Sequence, residues 1–368
     1  MPAVFPFHPD LVRKRVSPIA APLVVLIFLS LCVSTHPLKA QPPAVFPEVS
    51  GNSITPNDFP PIAHPEMKWA QGTFAKDPSV VFFNGRYFLY YSFFMTVDGE
   101  QVLTIGVATS GDLTNWVFQK NILPMQSCDQ HGLGAPCAKV LDGKLWLFYQ
   151  TYGTGKADAI CCAWSEDGLS FTPHPQNPIF RPSGAWTNGR AIDTEILSFN
   201  DKVFLYAATR DPLGKIQMLT VAWADPKSGF GPEAWHQALD EPLLRPELPW
   251  ETNCIEAPAA LVRGGKVYLF YAGGYNNDPQ HIGVAVSDDA VHFTRLWNIP
   301  FITNGPEGQW NASESGHPGI FVDGEQTYLF YQGNNTKGKD WYLSRVRLTW
   351  ESAGDIEVPR VADTIETP

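Results

Sequence analysis

Three carboxylates stand at comparable places in a chain that repeats itself. Asp77 opens the stretch DPSVVFFNG, Asp193 opens DTEILSFND and Glu256 opens EAPAALVRGG. Each is followed by an apolar run and then by a turn. A single acid at such a point is most simply a turn or capping residue. Three aligned ones are not, because like charges crowded at a partly buried place oppose folding unless a function retains them. The chemistry open to such a set is proton transfer, with one carboxyl donating, another accepting, and neighbours pushing their pKa values apart.

The elements that must position these acids follow from the repeat. Five units each join an apolar strand, a two-residue turn and a second strand rich in Tyr, Phe, Leu and Trp: residues 77–92, 135–150, 193–208, 256–273 and 316–333. The turns NG, DG, ND, GG and DG supply the positive φ values of tight hairpins. Measured between Asn84, Asp142, Asn200, Gly264 and Asp323, the spacings are 58, 58, 64 and 59 residues. A third strand follows in every unit, and in four of them an acidic or Gly turn and an aromatic lead to a fourth. Such a period predicts an all-β fold, a five-bladed β-propeller of four-stranded antiparallel blades, over residues 41–368 as one catalytic domain. The 33 prolines and 30 glycines fall mostly between strands. The Pro-rich residues 41–75 are expected to wrap the first blade and help close the ring.

In a propeller the first strand of each blade lines the central channel, so residues far apart in sequence meet at one mouth. Seven residues before the turn stand Asp77, Ala135 and Asp193. With one extra residue allowed in the fourth turn Glu256 joins them, and the fifth blade offers Gly316 beside His317. Cleavage of a glycosidic bond asks for this set: one carboxyl protonates the leaving oxygen and a second activates water or attacks the anomeric carbon.

The motifs Lys76-Asp77-Pro78-Ser79-Val80, Ala191-Ile192-Asp193-Thr194-Glu195 and Ile255-Glu256-Ala257-Pro258 resemble those of glycoside hydrolase family 43 and related five-bladed propeller glycosidases. The resemblance implies Asp77 as general base, Asp193 as the residue that tunes and orients the acid, and Glu256 as general acid. It also implies an inverting route and a neutral arabinan, xylan or galactan type of substrate. His317 matches a channel His that many relatives use near a water or calcium ion. No cofactor is expected for the chemistry, with a structural calcium near His317 as an option. Blade two departs from the pattern: Gly134-Ala135-Pro136-Cys137 lacks the family's Trp and has Cys where a polar residue commonly follows.

Trp69, Trp186, Trp250 and Trp310 precede Asp77, Asp193, Glu256 and His317 by 8, 7, 6 and 7 residues. Aromatic faces suit sugar rings, but their periodicity fits blade packing better. Trp69 and Phe74, nearest Asp77, are the candidates for lining a sugar pocket. Arg210 is a candidate ligand contact, and Asp211 beside it a turn residue.

Composition bounds the rest. With 44% hydrophobic and 17% charged residues among 368, the chain can bury a large core. A net charge of −11 disfavours nucleic acid and anionic membranes. Arg13, Lys14 and Arg15 before an apolar run from about Ile19 to Val33, with a small-residue exit near Ala40, predict a signal peptide over 1–40. The expected protein is secreted or periplasmic, without a stable membrane span after cleavage. Five mature cysteines read as buried small residues with at most one bridge. The expected partner is an oligo- or polysaccharide. A retaining enzyme, a phosphorolytic one, and a non-catalytic carbohydrate-binding propeller are the alternatives. Phosphorolysis calls for basic residues at the mouth, and few flank the acids in sequence.

Overall fold

The computed structural model describes residues 68–69 and 72–362, so the segment expected to be a signal peptide and most of the Pro-rich stretch lie outside the described residues. A short antiparallel pair, β1 (Lys68–Trp69) and β2 (Gly72–Thr73), comes first. Five four-stranded antiparallel sheets then follow in strict chain order. Blade one holds β3 (Lys76–Phe83), β4 (Arg86–Val97), β5 (Glu100–Ser110) and β6 (Trp116–Ile122). Blade two holds β7 (Leu133–Leu141), β8 (Lys144–Thr151), β9 (Ile160–Ser165) and β10 (Thr172–Pro173). Blade three holds β11 (Ile192–Phe199), β12 (Lys202–Arg210), β13 (Gln217–Ala224) and β14 (His236–Gln237). Blade four holds β15 (Ile255–Arg263), β16 (Lys266–Gly273), β17 (His281–Ser287) and β18 (Thr294–Arg295). Blade five holds β19 (Glu314–Asp323), β20 (Gln326–Asn334), β21 (Tyr342–Ala353) and β22 (Ile356–Val361). The protein is a five-bladed β-propeller, as the repeat predicts.

The second strands explain why the repeat is so aromatic. Each is sandwiched between neighbouring blades, and both of its faces are buried, so apolar residues run on without alternation. In β4, Phe88 and Tyr90 pack toward blade two while Leu89 and Tyr91 pack toward blade five. One apolar cluster fills each of the five gaps between blades, including the gap between blade five and blade one. Four inner hairpins turn at Asn84-Gly85, Asp142-Gly143, Asn200-Asp201 and Gly264-Gly265, with both residues at positive φ. In blade five the turn falls one residue later than expected, at Gly324, because Asp323 still pairs with Gln326.

The acidic outer turns are local caps. Asp112, Asp167 and Asp289 each accept two backbone N–H groups from the residues two and three ahead and bond a Ser two behind. Those backbone donors hold the carboxyl of Asp167 at about 2.

Every inner strand carries a bulge at the same height. The register shifts between Lys76 and Ser79, Gly134 and Cys137, Ile192 and Glu195, Glu256 and Ala259, and Gly316 and Gly319. Just after its first paired residue each bulge holds a left-handed residue: Asp77 (φ 56°), Ala135 (44°), Asp193 (52°), Ala257 (49°) and His317 (44°). This corrects the expected alignment. Asp77, Asp193 and His317 share one position, whereas Glu256 occupies the position before it, level with Lys76 and Gly316. Counting back from the turn misplaced both Glu256 and His317, since the fourth hairpin needs no extra residue and the fifth turn begins later.

Gly319 sits where blade five meets blade one, and a Cβ added there would run into the Pro78 carbonyl oxygen of β3. Backbone gives way less readily than a side chain, so Gly319→Ala is expected to cost about 1–3 kcal/mol. Thermal unfolding measures it, and an unchanged midpoint would contradict this account of ring closure.

Candidate active site

Three of the five bulges are pinned from the preceding blade. Asp77 N–H donates to Gln332 Oε1 at 3.0 Å, Ala135 N–H to Ser92 Oγ at 2.8 Å, and Asp193 N–H to Gln150 Oε1 at 2.8 Å. Gln332 is itself fixed by the fully buried Glu314, which accepts its amide at 2.6 Å along with Asn334 and Trp341. Ser92 donates to Asp77 Oδ2 as well, locking the side chain of one acid and the backbone of the next blade with one hydroxyl. Buried acids also anchor two of the loops that lead into inner strands. Glu251 takes Arg295 through Nε at 2.7 Å and Nη2 at 3.0 Å together with Tyr271 Oη at 2.8 Å, and Asp129 takes Tyr149 Oη at 3.0 Å.

His317 brings the acids into one cluster. Its Nδ1 lies 2.6 Å from Asp77 Oδ1, a close ion pair off the hydrogen-bond axis, and its Nε2 lies 3.1 Å from Glu256 Oε1. Burial works against a charged imidazole, but the two carboxylates outweigh it and raise the pKa of His317 well above its ordinary value. In return, Asp77, which burial alone would push up, is held at about 2 by His317, Lys76 and Ser92. Glu256 is lowered in the same way, against its burial, by His317, Lys76 and Gln280. Asp193 goes the other way: burial dominates, the charges of Glu256 and Asp77 add to it, and its carboxyl is raised to about 7. Asp193 Oδ2 is buried without a hydrogen-bond partner, as suits a neutral carboxyl. One oxygen of Asp193, one of Glu256 and one nitrogen of His317 all lie within 4.8 Å of one another. At neutral pH the cluster therefore holds two carboxylates, one imidazolium and a carboxyl poised to give up its proton.

A family model, Glycosyl hydrolases family 43, matches residues 69–351. The chain belongs to that family. It is 25% identical over 275 residues to an extracellular exo-alpha-(1->5)-L-arabinofuranosidase of Streptomyces avermitilis, covering 67% of this chain and 53% of that protein. It is 27% identical over 126 residues to a beta-1,2-mannobiose phosphorylase of Thermoanaerobacter sp., covering 30% and 40%. The chain thus spans about half or less of the curated relatives it matches. Among solved structures, a thermostable family-43 glycoside hydrolase aligns with a TM-score of 0.64 at 19% identity, over 81% of this chain and 96% of that one. An endo-1,4-beta-xylanase of Bacteroides thetaiotaomicron aligns with a TM-score of 0.60 at 20% identity, over 80% and 96%. At such identities these two speak for the fold alone.

Within this family-43 chain the other expected site residues are arranged unevenly. Phe74 is buried and packs edge-on against Phe94 at 4.8 Å and Trp341 at 5.5 Å, so it supports Trp341 and has no open face for a sugar. For Trp69 only the backbone is described, paired with Gly72. Trp250 stacks on Tyr271 and Trp310 lies tilted on Tyr331, the blade packing that their periodicity favours. Arg210 donates through Nε to Gln217 Oε1 at 2.9 Å and lies over the ring of Tyr275. Asp211 caps its turn by accepting the Lys215 and Ile216 N–H groups.

Sequence inspection underrated the cations near the acids. Lys76, Arg190 and Arg210 all stand there, yet each is engaged: Lys76 with Asn276 Oδ1 at 3.2 Å, Arg190 through Nε and Nη2 with Asp158 Oδ2, Arg210 with Gln217. The departure in blade two also has a purpose. Cys137 Sγ donates to Glu195 Oε2 at 3.2 Å, and Lys139 pairs with Glu195 Oε1 at 2.7 Å. These residues stand deeper along the inner strands, where a small cavity of about 30 Å³ is lined by Asp77, Asp193, His317, Lys139 and Glu195 among others. All five described cysteines are free thiols. Missed in the sequence were Gln217 and Gln280, which both donate to Glu256, and the latches Ser92, Gln150 and Gln332. The latches had a signal: they end the second-strand motifs YYS, FYQ and FYQ.

The raised carboxyl of Asp193 makes a signed prediction. A folded pKa of about 7 against an ordinary aspartate value of 3.8 means its contribution to stability is full below 3.8 and is lost as pH rises toward 7. Asp193→Asn removes the ionisation. The midpoint of the variant relative to the parent should climb between about pH 4 and 7 and level off above. A difference that stays flat across that range in thermal scans would refute the assignment.

Proposed function

We propose that this protein hydrolyses glycosidic bonds of neutral arabino-, xylo- or galacto-type chains by an inverting mechanism. Asp77, ionised and fixed by Ser92, is the base that activates water. Glu256, a carboxylate in the resting site, is the acid that protonates the leaving oxygen once it has taken the proton that the cluster keeps on Asp193. Asp193, neutral to about pH 7 and within 4.8 Å of Glu256, orients that acid and shares its proton. The observation that carries the reading is the imidazole of His317 contacting Asp77 with one nitrogen and Glu256 with the other. The ring stands between base and acid, and an inverting route asks for the two carboxyls roughly 6.5–9.5 Å apart, with room for a water. The Streptomyces relative supports an arabinose-type bond and an extracellular setting, and the expected signal segment supports export.

The chemistry is read as needing no cofactor. Calcium takes roughly six to eight oxygens, and Asp193, Glu256 and His317 offer a poorer set in which the imidazole already partners the carboxylates. Phosphorolysis is less favoured, because the nearby cations are engaged by protein groups. A binding-only propeller would have no use for a carboxyl held neutral beside two ionised ones.

The deciding experiment screens the purified protein on aryl arabinofuranosides, xylosides and galactosides and on the natural polysaccharides, with and without inorganic phosphate. NMR then reads the anomer first released. Glu256→Gln and Asp77→Asn keep size and fold but remove proton transfer, so each should lower kcat by at least about a hundredfold. Undiminished activity in either variant would sink the assignment, and a retained anomer would overturn the inverting route.

A further inference from the structure

We propose that Gln217 and Gln280 clamp Glu256 as positioning residues, and that Arg210 acts through Gln217 and not as a sugar contact; this rests on Glu256 being the general acid. Both oxygens of the Glu256 side chain are held. Gln217 Nε2 donates to Oε2, and Gln280 Nε2 donates to Oε1 at 2.7 Å, where His317 also arrives. The two glutamines are fully or almost fully buried; both groups of the Gln217 amide are matched, whereas Gln280 is held through its amide nitrogen alone.

Each amide has one admissible orientation. Arg210 and Gln217 are a cross-strand pair of β12 and β13, and Arg210 Nε donates to Gln217 Oε1 at 2.9 Å. A flipped Gln217 would set its oxygen against a carboxylate and its NH2 against a guanidinium. Gln280 gives its amide nitrogen to both Glu256 Oε1 and the Gly274 carbonyl, 2.9 Å away, so a flip would set its oxygen against two acceptors. Room for it comes from blade five: a Cβ on Gly316 would occupy the space of the Gln280 carboxamide. The clamp therefore draws on three blades. It matters because Glu256 stands one residue ahead of the bulge, and among the described residues its own backbone N–H receives no latch of the kind that pins Asp77 and Asp193.

The test separates acid catalysis from binding. The aryl glycoside that the parent cleaves is compared in two forms, with a 2,4-dinitrophenyl leaving group that departs unaided and with a phenyl leaving group that needs a proton. Gln217→Met is expected to lower kcat about 10- to 100-fold on the phenyl glycoside and at most about threefold on the dinitrophenyl one, with KM unchanged. Arg210→Met, at a half-buried position less prone to misfold, should move the same way by less. Adding it to Gln217→Met should change nothing further, since the two act in series. Equal losses on both glycosides, or a raised KM with kcat intact in Arg210→Met, would overturn the clamp while leaving the hydrolase standing. A parent that cleaves no glycoside would overturn the hydrolase and the clamp with it.

Discussion

A left-handed residue on each inner strand is the constraint on which the site depends. Non-glycine residues pay about 1–3 kcal/mol to adopt that conformation, and they keep it only where neighbours over-determine it. Here the neighbour is the preceding blade. Gln332, Ser92 and Gln150 each hold the N–H of the next bulge, so the orientation of Asp77 and Asp193 is set by the ring and not by their own strands. The ring in turn is held by the five apolar clusters between blades and by close backbone approach at Gly319. Fold and site are therefore coupled: loosening the gap between blades five and one would free Asp77, and between blades two and three Asp193.

The electrostatics follow from that geometry. Three carboxyls brought together in a buried space cannot all ionise without a cation. His317 is that cation. It stabilises Asp77 and Glu256 as carboxylates, and in doing so leaves Asp193 as the group that must stay protonated. The division of roles among three similar side chains comes from their unequal access to one imidazole. Asp77 and Glu256 contact its two nitrogens, whereas Asp193 makes no such direct contact and keeps an unpartnered oxygen.

The blade count, strand order and the three acids were legible in the sequence because they repeat. A turn with two positive-φ residues and a second strand buried on both faces leave periodic marks at every blade. The register of Glu256 was not legible. Seven residues before Gly264 stands Ala257, which holds the left-handed position, but an Ala there carries no compositional sign of a bulge and the acid beside it draws the alignment one residue off. Phe74 misled for a related reason: proximity in sequence to Asp77 says nothing about which ring face remains open, and Phe94 and Trp341 cover it. Gln217 and Gln280 were invisible because each sits at the edge of a different strand and acquires meaning only through Glu256.

The unlike residues at the shared bulge position explain how a near-symmetric ring makes a directional site. Read around the axis it carries Asp, Ala, Asp, Ala and His. The two alanines carry no charge, and the gaps they leave are filled from other levels: by Glu256 one residue earlier in blade four, and by the Lys139–Glu195 pair deeper in the channel beside blade two. Glu195 pairs with Lys139 and is bonded by the Cys137 thiol, so this deeper level of the channel carries a matched ion pair. The Cys by which blade two departs from the family pattern thus serves the deep ion pair, as a donor to the Glu195 oxygen that Lys139 does not hold.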